Sequence, residues 1–455
     1  MKPEKDNTFC YFPFSQLALK DWDAGHGIVN AAPCCNLARR EDDTLKLKSK
    51  LARRTDITPE QVFQCKAMNK LRDDMLNGVK NPICNYCWKK EKVNKENPWS
   101  PRLYSYKPDP EDFDHTNPRL QAIDFGLGEN CNLRCRMCTP DLSNKLRIDQ
   151  KYAFESDFKF VSGNATVGFH AEGKQPESTK SKTCHTDTLY FESNSAAWQW
   201  VLDNISQLKM IRATGGEVFI ERAYIELLDK AISENVAKDI TLHFHTNATK
   251  FSKSMINRLK EFKQVEPIFS IDSVGKNYEY IRHPMSWDKL EESVKLFIDQ
   301  LHEKSYNFGN NIAYSSLNAH YIEELYDWLV ETIYSSNKHH KLTTINISDV
   351  IPVGKGTNIA QLPLSMRHDI IALLRKVKEK NQRHELVILN DIDQAIALYK
   401  STKKQDYNRS QSALRFYEEV FFFDCSRKQS YRDYLHADIC EFLDEGKKVY
   451  EARKG

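Results

Sequence analysis

The chain has 455 residues, a soft prior for two or three domains. Apolar residues make up 40% and charged residues 28%, with 16 Gly and 16 Pro, which excludes disordered, collagen-like and disulfide-stapled chains. Lys plus Arg (66) nearly balances Asp plus Glu (63), and the formal charge of +3 gives no overall attraction to nucleic acid or an anionic membrane. The N-terminal MKPEKDNTFCYFPF has neither an apolar core nor a small-residue cleavage site, and no run approaches the ~20 apolar residues of a membrane span. The expectation is a cytoplasmic protein. In that compartment twelve cysteines, several of them clustered while Cys65, Cys184, Cys425 and Cys440 stand alone, favour metal or redox chemistry over disulfides.

Taken in chain order, the first third is cysteine-rich. Cys10 opens FCYFPFSQLAL, Gly27 precedes the adjacent pair Cys34–Cys35, Cys65 falls in the helical stretch VFQCKAMNKLRDDML, and Cys84 and Cys87 form the pair ICNYCWKKE. From about residue 120, strand candidates alternate with helical patterns. QAIDFGL (121–127) runs into GENCNLRCRMC, and the stretch 155–190, rich in Ser, Thr and Gly, reads as a lid or an unstructured loop. LKMIRAT (208–214) runs into ATGGEVF, after which Ile220, Tyr224, Leu227, Leu228, Ala231 and Ile232 share one helix face. ITLHFHT (240–246) alternates in the period-2 pattern of a half-buried strand and ends at Thr246 and Asn247. PIFSIDS (267–273) places Ser270 and Asp272 on one side of a strand. Arg282 follows in YEYIRHPMSW, then a helix face of Leu290, Val294, Phe297, Ile298 and Leu301, then strands NIAYSSL (311–317), ending beside Asn318, and TTINISDV (343–350). From about 385 the chain reads as a helical extension containing FYEEVFFFDC, and no internal repeat is visible.

Six strands alternating with helices imply parallel strands joined by crossovers, in a barrel or an open α/β sheet. Chemistry in such folds sits at the carboxyl ends of the strands, which is where the motifs fall. Cys131, Cys135 and Cys138 form C-x3-C-x2-C in a single loop. Three thiolates ligate three irons of a cubane and leave the fourth open, whereas four-cysteine clusters are closed. The competing reading is a zinc knuckle completed by a distant cysteine.

C-x3-C-x2-C after the first strand, followed by GGE after the second, resembles the radical S-adenosylmethionine (SAM) superfamily. The resemblance implies a (β/α)6 partial barrel and a [4Fe–4S] cluster on Cys131, Cys135 and Cys138 that chelates SAM. It further implies reductive cleavage to a 5′-deoxyadenosyl radical that abstracts hydrogen from a substrate. It places Met137 on the adenine, where an aromatic is more usual, and Gly215, Gly216 and Glu217 at the SAM ammonium, with Val218 in place of the usual proline. Thr246, Asn247, Ser270 and Asp272 fall to the ribose, Arg282 to the carboxylate, and Asn318 is a looser candidate. No catalytic residue beyond these is indicated.

The order Cys10, Gly27, Cys34 or Cys35, LR, then Cys84, Cys87 and Glu91 resembles the SPASM/twitch auxiliary-cluster module, here preceding the core instead of following it. The resemblance implies a second, auxiliary [4Fe–4S] cluster on Cys10, Cys34, Cys84 and Cys87, with zinc as the alternative metal. Cys65 reads as core, Cys184 as a lid thiol, and the patch around Cys425 resembles a C-terminal stretch of twitch proteins without an assigned role. The expected domains are 1–100 (auxiliary module), 118–385 (partial barrel with the 155–190 insertion) and 386–455 (helical extension). The expected activity is that of an oxidoreductase or maturase acting on a peptide or protein side chain, with a flavodoxin- or ferredoxin-type electron donor. The alternatives are a sugar, nucleotide or other small-molecule substrate, or a non-catalytic iron–sulfur scaffold.

Overall fold

The computed structural model describes residues 8–23, 28–34, 58–93, 100–104, 108, 111, 113–140, 142–156, 158–162, 196–305, 307–335, 342–348, 356–385, 387–401 and 408–454. Gly27, Cys35, Cys184 and most of the expected lid lie outside the described residues. The chain is mixed α/β with nine described strands, and it divides into two compact units. Among the described residues, no helix is long and apolar enough to cross a membrane.

The first unit comprises Met1–Glu129, Thr183–Phe244 and Glu261–Gln264. Its strands are β1 (Gln16–Asp23), β2 (Ile28–Ala32), β3 (Ala122–Gly126), β4 (Met210–Thr214) and β5 (Thr241–Thr246, of which the residues to Phe244 belong here), in the order β2-β1-β3-β4-β5. Only β1–β2 is antiparallel; Leu17 pairs with Ile123, Ile123 with Ile211 and Ile211 with Leu242 along parallel ladders. Every residue of β3 is buried, as expected for a parallel strand covered on both faces. The helix Arg222–Ser233 buries Tyr224, Leu227, Leu228 and Ala231, the face that its periodicity predicts. Trp198, fully buried in the helix Ala196–Asp203, meets Phe125 edge-on and donates its indole N–H to Glu226 at 3.0 Å. Burying such a side chain contributes about 2–3 kcal/mol. Cys65 is half-buried and is the N-terminal flank of the helix Lys66–Leu76, not a core residue as expected.

The second unit comprises Asn130–Lys182, His245–Lys260 and Val265–Gly455. Four parallel strands run in the order β6 (Gln264–Phe269), β7 (Asn307–Ala313), β8 (Leu342–Ser348) and β9 (Val387–Asn390). Two expectations need correction. β6 ends at Phe269, so Ser270 and Asp272 lie in the loop beyond the strand, and β7 begins four residues before the predicted run. The region after 385, read as helical, opens with β9 before its helices. The helices Arg409–Arg427 and Ala437–Lys454 then pack so tightly that a Cβ at Gly446 would fall 2.1 Å from the Ala413 carbonyl oxygen. The described start of the expected lid is ordered, with Phe158 and Phe160 packed on Phe422 of the first of these helices.

Candidate metal centres

In the second unit, Cys131 and Cys135 are 8% and 7% exposed and cluster with Leu133, with Met137, Cys138 and Met285 packed against them. The loop is tied down along its backbone: Arg134 N–H donates to the His283 carbonyl and Arg136 N–H to the Ile281 carbonyl, both at 2.9 Å. Two polar side chains reach the sulfurs. Asn247 Nδ2 lies 3.8 Å from Cys131 Sγ, and Arg282 Nη1 lies 3.8 Å from Cys135 Sγ. Burial pushes the Cys135 thiol up, against the pull of Arg282, and burial pushes Cys138 well above the ordinary range, reinforced by Cys135 and Cys131. Such thiols become ligands only by exchanging a proton for a metal.

The ribose and carboxylate candidates have other partners here. Asp272 is buried, with Oδ2 accepting from Arg282 Nε at 2.6 Å and Oδ1 from the Ala313 N–H at 2.7 Å. Burial alone would lower the Arg282 guanidinium, but Asp272 and Cys135 outweigh it and hold the group charged. Arg282 therefore bridges a carboxylate and a sulfur of the cysteine loop. Thr246 Oγ1 accepts from the Ala248 N–H, the Ser270 N–H donates to the Thr246 carbonyl, and Asn318 Nδ2 donates to the Asp272 and Ala313 carbonyls. Asn318 thus fixes the loop that carries Asp272.

Behind the cysteines lies a charged layer that the motifs did not reveal. Arg136, between Cys135 and Met137, has a side chain 1% exposed; it donates to Asp424 Oδ1 at 2.6 Å and to the Val420 and Tyr280 carbonyls, with its guanidinium 3.5 Å from the Tyr280 ring centroid. Asp149, 0% exposed, accepts from Arg134, Ser426 and Arg427. This gives the patch around Cys425 a physical role: Asp424 neutralises Arg136 of the cysteine loop, while Ser426 and Arg427 pin Asp149 of the helix that follows it. Residues 288 positions apart leave no mark in a local pattern.

In the first unit, the GGE turn follows β4. Gly215 has φ +150°, and a Cβ there would crowd the Gly128 carbonyl oxygen at 3.1 Å, so a glycine is needed. Gly216 N–H donates to the Gly128 carbonyl. Glu217 is fully buried and caps the turn Val218–Ile220 by accepting from the Phe219 N–H at 3.3 Å.

The same unit places Cys10, Cys34, Cys84 and Cys87 on one cavity, whose wall also includes Phe12, Leu71, Met75, Tyr86 and Arg102. The buried Arg72 of the LR pair reaches from its helix to the Pro13 and Phe63 carbonyls at 2.7 Å each, fixing the segment after Cys10. Glu91 holds Arg102 in a two-pronged pair at 2.7 and 2.6 Å, and Arg102 Nη1 donates to the Phe9 carbonyl beside Cys10. Burial raises Cys10 far above the ordinary thiol range, and Cys84 and Cys87 raise it further.

Among the described residues, no three cysteine sulfurs lie within 4.8 Å of one another.

No sequence family matches the chain, and no curated protein does. Its fold has low-scoring likenesses among solved structures. Streptococcus suis SuiB aligns over 70% of this chain and 63% of its own at 15% identity and a TM-score of 0.34. The native anSMEcpe with bound AdoMet aligns over 60% of this chain and 65% of its own at 14% identity and 0.34. S. suis SuiB bound to precursor peptide SuiA aligns over 78% and 69% at 12% identity and 0.33. The chain spans under two thirds of the first of these, and at such scores the likenesses assign neither fold nor activity.

Proposed function

We propose that the chain is a radical SAM enzyme with one auxiliary cluster. The observation that carries the reading is the buried loop of Cys131, Cys135 and Cys138, with a charged arginine and an asparagine at its sulfurs. In this reading the three cysteines hold a [4Fe–4S] cluster, and Cys10, Cys34, Cys84 and Cys87 hold a second. When bound, the first cluster supplies the electron that splits SAM into methionine and a 5′-deoxyadenosyl radical able to take hydrogen from an unactivated C–H bond.

The chain's own residues bind and position. Arg282, held by Asp272, keeps a fixed positive charge beside Cys135 and offsets the negative charge that thiolates bring into a buried loop. Asn247 donates toward Cys131, and hydrogen bonds to ligating sulfur tune cluster potential. Met137, packed against the cysteines, offers a polarizable thioether for a flat ring. Gly215, Gly216 and Glu217 form a tight turn with a carboxylate suited to an ammonium group.

The reading entails a (β/α)6 partial barrel over 118–385, an auxiliary module over 1–100 and a C-terminal extension over 386–455. Its substrate is a peptide or protein side chain, its reductant a small flavodoxin- or ferredoxin-type protein, and its compartment the cytoplasm. Parallel strands joined by helices support the first of these, and the shared cysteine cavity supports the second.

The test has two arms. Anaerobically reconstituted and reduced chain is mixed with SAM, and 5′-deoxyadenosine is measured; an iron-loaded protein that releases none refutes the enzyme reading. A variant with Cys131, Cys135 and Cys138 changed to Ala retains ~4 irons if the auxiliary cluster exists. Zinc in their place assigns the N-terminal cysteines to a structural site.

A further inference from the structure

Away from both cysteine sets, three ligand-type side chains meet where the last helix of the second unit begins. His320 lies in the turn Ala319–Tyr321 that follows β7, His436 directly precedes the helix Ala437–Lys454, and Asp438 sits in that helix's first turn. One ligand atom from each lies within 4.8 Å of the other two, and no other trio of His, Cys, Asp or Glu does so among the described residues. Asp438 Oδ2 is 3.7 Å from His320 Nε2 and 3.4 Å from His436 Nδ1. Tetrahedral ligands on a zinc ion with bonds of ~2.0–2.1 Å stand ~3.3 Å apart, so the two histidine–carboxylate contacts are already near that spacing, and the arrangement of the two rings decides what must move.

A second observation points to a ligand. The His320 side chain is 7% exposed, and its Nε2 atom is buried without a hydrogen-bond partner. Leaving such an atom unsatisfied costs about 1–3 kcal/mol, and a coordinated cation removes that cost. The His320 and His436 rings lie face to face, 4.2 Å between centroids and 2° from parallel. For both lone pairs to meet one ion a ring must rotate; His436, 44% exposed, can turn about its Cβ–Cγ bond by giving up the Asp438 N–H that its Nδ1 accepts at 3.4 Å.

We propose that His320, His436 and Asp438 bind one borderline divalent cation of the Zn²⁺ class, with solvent completing its coordination. Two imidazoles and a carboxylate are the donor types that such ions select over Mg²⁺ or Ca²⁺. The ion ties the start of the C-terminal helix to the loop after β7. That loop includes Asn318, which holds the Asp272 backbone in place. The site is independent of the radical SAM reading and stands or falls without it.

The test uses the full-length chain, stripped with a chelator and titrated with Zn²⁺ alone against a chromogenic competitor. Wild type is compared with His436→Ala and Asp438→Ala, two exposed positions whose replacement leaves the fold intact. Zinc taken by cysteines is common to all three and cancels in the difference. The expected result is that wild type holds one more equivalent than either variant, or holds it at least tenfold more tightly. Bound Zn²⁺ should also slow hydrogen exchange over 434–442 in wild type alone. Equal stoichiometry and affinity in all three proteins would overturn the proposal.

Discussion

Replacing Asp424 with Asn tests whether the C-terminal helices hold the cysteine loop. Asp424 accepts three hydrogen bonds: from Arg136 at 2.6 Å, from the Tyr280 hydroxyl at 2.7 Å and from the Tyr431 N–H at 2.7 Å. In Asp424→Asn the single amide oxygen serves the first two, and the amide NH2 then faces the Tyr431 N–H, donor against donor. One orphaned buried N–H costs about 1–3 kcal/mol, and breaking a buried ion pair costs about 3–5 kcal/mol in all. Arg427 and Arg134 already share the Asp149 carboxylate, so Arg136 would keep no carboxylate partner of its own. We expect the opening free energy of residues 131–138 to fall by about 4 kcal/mol, which speeds hydrogen exchange there by nearly three orders of magnitude. Adding Arg136→Met removes the stranded charge, so the double variant should recover at least about 2 kcal/mol. An exchange rate within fivefold of wild type for Asp424→Asn, or strict additivity in the double variant, refutes the reasoning.

Arg282→Met strands the Asp272 carboxylate and removes the cation beside Cys135; 5′-deoxyadenosine formation should fall about 10–100-fold, with iron content assayed in parallel to separate cluster loss from slowed turnover. Gly446→Ala forces apart the helices Arg409–Arg427 and Ala437–Lys454, and thermal melts should show destabilisation of about 1–3 kcal/mol; an unchanged melt would show that the helices shift freely. His283 is held down to about 4 by burial and by Arg427, Arg134 and Arg136. Its unfolded value is ~6.5, so the unfolded state alone gains a proton as pH falls from ~6.5 to ~4, and stability is lost across that window. His283→Asn should flatten this slope in urea unfolding, and a slope unchanged by the variant would count against the assignment.

What could be read from the sequence was what is local. β3, β4, β5 and β8 are β-rich or alternating runs of the right length, and each stands where its pattern places it. β6 and β7 were displaced for an identifiable reason. Asn310 exchanges two side-chain hydrogen bonds with the Ile271 backbone, so the SIDS segment is satisfied off the strand while NFGNNIA, poor in β-formers, is the strand itself. The cysteine sets were visible by spacing. Their supports were not, because Arg136 with Asp424 and Arg134 with Asp149 are single charges whose pairing depends on the finished fold.

The separation of 288 residues between Arg136 and Asp424 also sets an order of events during synthesis. The loop of Cys131, Cys135 and Cys138 leaves the ribosome long before the helix that neutralises its arginine. At ~5–20 residues per second, that interval is roughly a quarter of a minute to a minute. Throughout it Arg136 lacks the Asp424 carboxylate that pairs with it in the finished fold. Tight anchoring of the cysteines is thus a late event. A chain released before residue 424 would expose a loosely held cysteine loop, distinguishable from the finished protein by the accessibility of its thiols.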